Sequence, residues 1–565
     1  MRIRQVSAIA LGLGLLGSKL AMGADSKLAN DFPAGRPSME LVEVIVQFDQ
    51  FGKSNASSIK ALGELRKEFT NFDGMVLKLP RSAVEALSKM PGVKYVSPNR
   101  PLKRKLEYAQ PASYADIAHN YGFTGVGVGV AVIDSGVTAH GDLMNGSTSR
   151  VVYSENFVAG TTSAADGYGH GTHVAGIVAG DATLSTGTGT TRMFKGIAPR
   201  ANIVNLRVLD NAGSGTDISV ISAIDRAIQL KNTYNIRVMN LSLGRPVSES
   251  YTLDPLCQAV ERAWKAGIVV VVAAGNRGRD NTAGTKGYGT IGSPGNSPWV
   301  ITVGAMNDKS SNARADDRMT SFSSKGPTVG DRIVKPDLVA PGNRIVAALS
   351  TGSTLSNGTG AQNVIAQSYY KTSGTGNGPY LKLSGTSMAA PVVAGAAALL
   401  IQKDPALTPD GVKARLMKTA SKTGMPTTET VVDSVTGAIY TVNYDIFTVG
   451  AGYVDIWAAL NSTEALPAGR RALSPKVSLN AVTKVMTVDT ANIVAGELTI
   501  WGANSLWGSN VIWGGSVLSG SNVIWGDNVI SGENVIWGDN VIWGDNVIWG
   551  DSSQFMESLS FKGDN

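Results

Sequence analysis

The chain has 565 residues, so several folding units are expected rather than a single domain. Hydrophobic residues make up 43% of the sequence and charged residues 17%, a balance that excludes wholesale disorder and supplies a large core. The formal net charge of +6 is small for this length and gives no argument for nucleic-acid binding.

The first 23 residues have the layout of a secretory signal peptide. Arg2 and Arg4 precede an apolar stretch over 6–16, and small residues follow up to Gly23. The stretch is too short for a membrane-spanning helix, and no later run reaches about 18 apolar residues. We therefore expect a secreted or cell-surface protein without a transmembrane segment. Cys257 is the only cysteine, and its apolar neighbours indicate an inert core thiol.

Residues 41–100 are predicted to form a small α/β unit. The pattern indicates an alternating strand at 42–48, a charged helix near 57–69, a strand at 75–79, a helix over 82–90 and a last extended segment at 93–96. Residues 101–112 are polar and charged, and we predict that they are extended.

From about residue 125 the pattern changes to Val- and Ile-rich runs separated by amphipathic helices. This alternation predicts an α/β fold with three layers, a doubly wound and mostly parallel sheet covered by helices on both faces. The predicted strands cover 127–133, 202–209, 237–243, 268–274 and 299–303, and the predicted helices include 218–230 and 255–266. Ligands bind beyond the carboxyl ends of such strands, so polar residues that follow the strands are candidates for a site.

Four segments carry candidates of this kind. Asp134 ends the first predicted strand, and Asn276 follows the strand at 268–274. His170 begins a helix-like stretch, where the positive end of the backbone dipole favours the neutral imidazole that a general base needs. Ser387 has small neighbours at the start of another apolar helix. Taken singly, each has an ordinary explanation as a turn residue or a helix cap.

Two other kinds of site compete for these motifs. His170 and His173 are three residues apart, a spacing that suits a zinc site. The HExxH arrangement is missing, however, and His173 has apolar neighbours. The residues around Ser387 do not follow Gly-x-Ser-x-Gly, which disfavours an α/β-hydrolase lipase or esterase.

Together the four segments resemble the subtilisin-like (subtilase, S8-type) serine endopeptidases, whose catalytic groups follow the chain order Asp, His, Ser. The resemblance covers roughly 125–460. It implies that Ser387 is the nucleophile, His170 the general base and then acid, and Asp134 the residue that orients the imidazole. Asn276 and the backbone N–H of Ser387 would form the oxyanion hole. No cofactor is expected for catalysis.

The resemblance also implies a substrate cleft for proteins and peptides. Edge segments that pair with an extended substrate are matched by Gly213, Ser214, Gly215, Ser242, Leu243 and Gly244. Gly292 matches a pocket floor that leaves room for a large apolar side chain, so we expect broad cleavage after such residues. Asp142 matches a carboxylate that binds structural calcium in many relatives, although the loop over 183–192 has no carboxylate.

The segment at 41–100 resembles the inhibitor-type propeptides of this family, which template folding and block the active site until they are removed. We therefore predict a self-processed zymogen, with a propeptide over 24–110 and a peptidase domain over 111–465. The maturation cut is expected near Leu106 to Gln110. A stretch over 350–381, rich in Gly, Ser, Thr and Asn, is predicted to be an elongated surface loop, either beside the cleft or simply solvated.

Residues 499–552 repeat with a period of six, read most simply as Asn-Val-Ile-Trp-Gly-Asp. Such hexads suit a β-solenoid with glycine at the turns, and this stretch carries acidic but no basic residues. We predict a linker over 466–498, a separate repeat module over 499–552 and a tail over 553–565, with a structural or surface-attachment role for the module.

Two other functions remain open at this stage. The first is a catalytically silent subtilisin-like fold used for binding. The second is an adhesive or carbohydrate-binding repeat surface to which the peptidase is auxiliary, which the regular tryptophan spacing permits.

Overall fold

A computed structural model describes residues 27–28, 41–49, 55–69, 73–98, 105–106 and 108–479 except 283, 359, 422–423 and 434–436, together with 486–488, 493–494, 497–498, 512–513, 516–517 and 564. The predicted signal peptide lies outside the described residues. So does the repeat module, apart from the short antiparallel pair of Ile512–Trp513 with Ser516–Val517. The chain divides into two compact units, 1–103 and 104–565.

The smaller unit contains a four-stranded antiparallel sheet and two short helices. Its strands are β1 (Leu41–Phe48), β2 (Glu64–Glu68), β3 (Gly74–Pro80) and β4 (Val93–Pro98), paired in the order β2-β3-β1-β4. Its helices are α1 (Ala56–Lys60) and α2 (Val84–Ser88). Val44, Val46 and Phe48 alternate along β1 and are buried in the core of this unit.

The predicted helix near 57–69 is wrong beyond residue 60. Residues 64–68 form the edge strand β2, in which every residue is exposed, and β2 pairs with β3. A Cβ at Gly63 would lie 2.7 Å from the carbonyl oxygen of Lys78, so glycine permits the close approach to β3. The charged composition indicated a helix, but strand pairing outweighed that local preference.

The larger unit is built on an eight-stranded sheet. Its strands are β5 (Gly129–Asp134), β6 (Val151–Asn156), β7 (Asn202–Arg207), β8 (Ile236–Leu241), β9 (Val269–Ala273), β10 (Ile301–Asn307), β11 (Arg318–Met319) and β12 (Leu338–Pro341). They pair in the order β11-β10-β9-β8-β5-β7-β6, with β12 also on β10. Every pair is parallel except β10 with β11. The strand order reverses beside β5, so the crevice of this sheet opens where β5 ends.

Helices cover the sheet as expected for the predicted three-layer α/β fold. They are α3 (Ala109–Ser113), α4 (Ala115–Asn120), α5 (His170–Ala179), α6 (Asp217–Leu230), α7 (Pro255–Lys265), α8 (Thr386–Lys403), α9 (Pro409–Thr419) and α10 (Ile456–Asn461). Helices α5 and α8 contact each other, and α6 contacts α7. Within the described residues α8 alone is long and apolar enough to cross a membrane, but 89% of that window is buried, so it is a core helix.

Two predicted loop segments are ordered instead. The stretch over 350–381 contributes to an antiparallel sheet of Ile345–Ala348, Val364–Ala366 and Asn377–Leu383. Its Tyr370 and Tyr380 are fully buried against Phe194, so it is not a solvated surface loop. The extended segment predicted over 101–112 is helical from Ala109, because the apolar side chains of α3 pack into the core of the larger unit.

Part of the predicted linker over 466–498 is packed into the larger unit. Leu473, Ser474 and Val477 are almost completely buried. The N–H of Val334 donates to the carbonyl of Pro475 at 2.8 Å, and Val477–Leu479 pairs with Met486–Val488. A flexible linker therefore cannot begin before these contacts end.

Candidate active site

Asp134 and His170 meet at the carboxyl end of β5. Asp134 is the last residue of the strand, His170 is the first residue of α5, and Oδ1 of Asp134 lies 2.7 Å from Nδ1 of His170. Both side chains are fully buried. Burial opposes a charge on the imidazole, but the charge and hydrogen bond of Asp134 outweigh it, so the pKa of His170 is raised.

Glycines allow the start of α5 to approach the end of β5 this closely. A Cβ at Gly171 would lie 2.2 Å from the carbonyl oxygen of Gly136 and 3.1 Å from the Cβ of Asp134. Any side chain at residue 171 would therefore push α5 away from the strand. The Gly-His-Gly sequence is the local reason that the imidazole reaches the carboxylate.

Ser387 is the second residue of α8, and its hydroxyl bonds a backbone carbonyl rather than the His170 imidazole. The Oγ of Ser387 donates to the carbonyl oxygen of Ser242 at 3.1 Å. The Nε2 of His170 is buried and has no hydrogen-bond partner among the described residues. The structure thus shows the Asp134–His170 pair formed and the hydrogen bond from Ser387 to the imidazole not formed.

The side chain of Asn276 is hydrogen-bonded to Thr386, the first residue of α8. Its Oδ1 accepts from the backbone N–H of Thr386 at 2.9 Å and from the Thr386 hydroxyl at 3.1 Å. Because the backbone N–H can only donate, the amide oxygen must face Thr386. The amide of Asn276 is thus held by Thr386, the residue that precedes Ser387, through its oxygen and not through its N–H groups.

Comparison with known proteins matches residues 125–438 to the Subtilase family. The chain belongs to the subtilase family. Serine protease AprX of Bacillus subtilis (strain 168) is 38% identical over 367 residues, which are 64% of this chain and 76% of the relative. Subtilisin E of the same strain is 36% identical over 404 residues, 69% of this chain and 88% of the relative. An alkaline protease of Alkalihalobacillus alcalophilus is 33% identical over 365 residues, 64% and 77% of the two chains.

This membership establishes a subtilisin-like serine endopeptidase, which hydrolyses peptide bonds without a catalytic cofactor. It confirms the resemblance inferred from the sequence and the three-layer α/β architecture with its parallel sheet. Membership of this family of serine endopeptidases does not support the catalytically silent interpretation.

The predicted cleft segments of this subtilase lie around the same point. The Ser242 hydroxyl donates to the carbonyl oxygen of Ser387 at 2.8 Å, so the segment with Leu243 and Gly244 is joined to α8. Arg245 and Ser293 exchange two backbone hydrogen bonds of 2.8 and 3.0 Å, which ties this segment to the loop containing Gly292. The N–H of Gly292 donates to the carbonyl oxygen of Ala274 at 3.3 Å, next to the Asn276 loop.

The second predicted edge segment, Gly213 to Gly215, lies beside the residues that precede His170. Gly213 has φ +79°, and a Cβ there would lie 2.8 Å from Cζ of Tyr168. Glycine is therefore required both by the backbone angle and by the tyrosine ring. Because Tyr168 is two residues before His170, this contact places the segment near the N-terminus of α5.

A cavity of about 730 Å³ adjoins this region of the subtilase. The part of the 350–381 stretch that lines it comprises Ser350 to Ser353, and Asp166 and Asn211 also border it. Asp134, His170 and Ser387 are not among the residues that line this cavity, so a place for the stretch beside the substrate cleft stays a prediction.

Asp166 was not recognised in the sequence, yet it connects the two halves of the Asp134–His170 pair. Its Oδ1 accepts from the Ser135 hydroxyl at 2.8 Å and from the N–H of Gly169 at 2.6 Å, and its Oδ2 accepts from the N–H of Thr172 at 2.8 Å. Burial raises the pKa of Asp166, although these donors oppose the shift. The carboxylate four residues before His170 was the available signal, but an isolated aspartate near a turn is unremarkable.

The calcium site predicted at Asp142 does not fit its contacts. Its Oδ1 accepts from the N–H of Leu184 and its Oδ2 from the Tyr380 hydroxyl, each at 2.7 Å. The Arg150 guanidinium donates to the carbonyl oxygens of Asp142 and Met144 at 2.6 and 3.2 Å. Calcium needs six to eight oxygen ligands, and here each carboxylate oxygen already accepts one protein hydrogen bond, while the buried Arg150 guanidinium beside Asp142 would repel a cation.

The remaining candidates have structural surroundings. His173 is fully buried, its Nε2 lies 3.1 and 3.0 Å from the carbonyl oxygens of Ile345 and Leu381, and burial lowers its pKa to about 3. Cys257 is buried in α7, and burial raises the pKa of its thiol. These contacts assign His173 to the core rather than to a zinc site.

Proposed function

We propose that Ser387 is the nucleophile of this endopeptidase, with His170 as general base and then acid and Asp134 as the group that orients the imidazole. The observation that carries the proposal is the fully buried Asp134–His170 contact of 2.7 Å at the end of β5. Nε2 of His170 has no partner among the described residues, and α5, which His170 begins, contacts α8, whose second residue is Ser387. A buried unpaired nitrogen is costly unless a donor reaches it during the reaction.

In the proposed reaction, the Ser387 hydroxyl leaves the Ser242 carbonyl and turns toward Nε2. His170 takes the hydroxyl proton while Oγ forms a bond to the peptide carbonyl carbon. The imidazolium then gives this proton to the leaving amine as the C–N bond breaks, which leaves an acyl-enzyme. In the second half, His170 takes a proton from a water molecule while the water oxygen forms a bond to the acyl carbon. The imidazolium then returns this proton to Oγ of Ser387 as the C–O bond of the ester breaks, and the acid product leaves. Catalytic hydrogen bonds often tighten only when substrate is bound, which accounts for the open contact.

Asn276 and the backbone N–H of Ser387 are proposed to stabilise the oxyanion. Thr386 holds the amide oxygen of Asn276 by two hydrogen bonds, which fixes the direction of the donor before the reaction begins. Preorganised donors lower the barrier most, because they need no rearrangement as charge develops on the substrate oxygen.

We also propose broad specificity with a preference for large apolar residues before the cleaved bond. The segments Gly213 to Gly215 and Ser242 to Gly244 would pair with the backbone of an extended substrate, which explains breadth. Gly292 would leave the pocket floor open to a large side chain.

The enzyme is further proposed to be secreted and made as a self-processed zymogen, with surface attachment through the repeats over 499–552. The separate small unit within 1–103 supports a removable propeptide. Because Ala109 and Ala112 of α3 lie in the core of the larger unit, the cut is best placed between Leu106 and Ala109.

Expression of Ser387→Ala beside wild type tests the proposal. The variant should accumulate as a precursor that retains the small unit and takes up no fluorophosphonate label. Wild type should be labelled and trimmed. Ser222→Ala, at an exposed position of α6, is the matched control and should behave as wild type. Labelling of the Ser387→Ala variant to the wild-type level would refute the assignment of the nucleophile.

A further inference from the structure

Asp564 occupies a polar receptor on the larger unit, far in sequence from the other described residues. We call the residues that hold it, Arg279, Asn307, Ser321 and Asn343, the Asp564 receptor. Asp564 itself is 1% exposed. An acidic residue that follows the repeat module in sequence is therefore buried in the larger unit.

The receptor satisfies the whole carboxylate. Oδ1 of Asp564 accepts from Nη2 of Arg279 at 2.5 Å and from the Ser321 hydroxyl at 3.0 Å. Oδ2 accepts from the backbone N–H of Ser321 at 2.7 Å. Burying a carboxylate is expensive without such charged and polar partners, so this set of donors is suited to an acid and poorly suited to a neutral apolar residue.

The receptor also binds the backbone of Asp564. The N–H of Asp564 donates to Oδ1 of Asn343 at 2.9 Å, and its carbonyl oxygen accepts from Nδ2 of Asn343 at 2.9 Å. The same carbonyl oxygen accepts a second hydrogen bond, from Nδ2 of Asn307 at 3.4 Å. Both amide functions of Asn343 are thus used on one residue, which recognises main chain and side chain together.

The receptor is continuous with the loops of the proposed active site. Arg279 lies three residues after Asn276, and the N–H of Gly278 donates to the carbonyl of Phe322, next to Ser321, at 2.8 Å. Asn343 follows Gly342, whose carbonyl oxygen accepts from the N–H of Gly385 at 2.8 Å. Asp564 therefore joins the segments that carry Asn276 and the start of α8.

We propose that Asp564 anchors the polypeptide beyond the repeat module to the peptidase unit. Before the repeats, Val494 is buried in the core of the larger unit, and Glu497 lies 3.8 Å from Arg471 at its surface. Residues on both sides of the repeat module, Val494 and Asp564, are then held by the same unit, and Asp564 lies within the tail predicted over 553–565. The occupant of the receptor is Asp564 of the same chain.

The test uses the full chain carrying Ser387→Ala, so that no self-cleavage occurs. A site for a sequence-specific protease is placed between Thr499 and Ile500, and the protein is cut and passed through a gel-filtration column. With an intact receptor, the fragment that contains Asp564 should remain bound to the peptidase unit. Its separation at micromolar concentration would overturn the proposal.

Two variants distinguish the receptor from other contacts. Asn343→Ala removes only the backbone bonds to Asp564, and Asp564→Asn removes the charge; each should weaken retention of the fragment by about tenfold or more. Asp551→Ala is the control for loss of an acidic residue within the repeats and should retain the fragment. Unchanged retention in both Asn343→Ala and Asp564→Asn would contradict the anchor even if one variant folded poorly.

A mixing experiment separates binding within one chain from binding between copies. Uncut proteins with two different tags are mixed before cutting, and each peptidase unit should keep the fragment of its own chain. Co-purification of the two tags before cutting, fragments found with the other tag directly after cutting, or a concentration-dependent dimer would show that the receptor takes Asp564 of a second copy and would overturn the proposal. Activity plays no part in these readouts, so they are independent of the proposed reaction.

Discussion

The charges around His170 determine how its imidazole titrates. Asp134 is the direct partner of Nδ1, and Asp166 adds a second negative charge that also raises the pKa of His170. Asp166 holds Gly169 and Thr172 on either side of His170 and the hydroxyl of Ser135, whose N–H donates to Asp134 at 2.7 Å. It is therefore a positioning residue that acts through the Asp134–His170 pair.

Replacement of Asp166 should change the pH profile as well as the rate. The base must be neutral, so kcat/KM rises as pH increases through the pKa of His170 in the free enzyme. Because Asp166 raises that pKa, Asp166→Asn and Asp166→Ala should both move the acidic limb to lower pH, with kcat/KM at the plateau reduced about ten- to a hundredfold by misplacement of the imidazole. Asp225→Asn, on the exposed face of α6, is the control. If kcat/KM at the plateau falls while the pKa of the acidic limb is unchanged, Asp166 supports only the fold.

Asn276→Ala should lower kcat far more than it raises KM, because the amide donates only to the charge that develops on the substrate oxygen. The expected loss in kcat is on the order of 10²–10³-fold, a magnitude known from subtilisin rather than obtained from this structure. Steady-state kinetics on one peptide substrate measure it, with Asn232→Ala at an exposed position as control. A raised KM with unchanged kcat would assign Asn276 to ground-state binding instead.

At the scale of elements, the strands with continuous apolar runs were predictable and the ordered insertion was not. Strands β5, β8 and β9 begin and end within two residues of their predicted bounds, because burial on both faces leaves a run of Val and Ile in the sequence. The 350–381 stretch is rich in residues typical of loops. Its order comes from Tyr370 and Tyr380 packing on Phe194, a contact that no local pattern reveals.

The bond from Tyr380 to Asp142 gives a prediction at this scale. Tyr380→Phe leaves the buried Asp142 carboxylate without its hydroxyl donor, so the free energy of unfolding should fall by about 1–3 kcal/mol.

Because protein donors bind both carboxylate oxygens of Asp142, the effect of calcium on the unfolding midpoint should be the same in wild type and Asp142→Asn. Thermal unfolding with calcium and with a chelator measures both quantities. A calcium effect that disappears in Asp142→Asn would restore the metal site.

At the scale of the whole molecule, the candidate site combines residues that are distant in sequence. Asp134, His170, Asn276 and Ser387 were predictable because each stands in a recognisable segment after a strand or at a helix start. Asp166 was not, since its role arises only when separate elements fold together. The division between residues 103 and 104 lies seven residues before the predicted end of the propeptide at 110, and Ser474 and Val477 are buried in the larger unit within the predicted linker.

The order of strands in the central sheet predicts that the larger unit folds slowly without help. Gly129 at the start of β5 pairs with Asn202 on one side and Ile236 on the other, so the centre of the sheet closes only after loops of about 70 to 110 residues are ordered. A chain that lacks residues 24–103 should therefore regain activity from denaturant much more slowly than one refolded with the 24–110 polypeptide added in trans. Ile59→Asp in that polypeptide, which disrupts the core of the smaller unit, should abolish the rescue, whereas Lys60→Ala at its partly exposed neighbour should not. Equal refolding rates with and without the added polypeptide would show that parallel pairing in this sheet needs no template from the smaller unit.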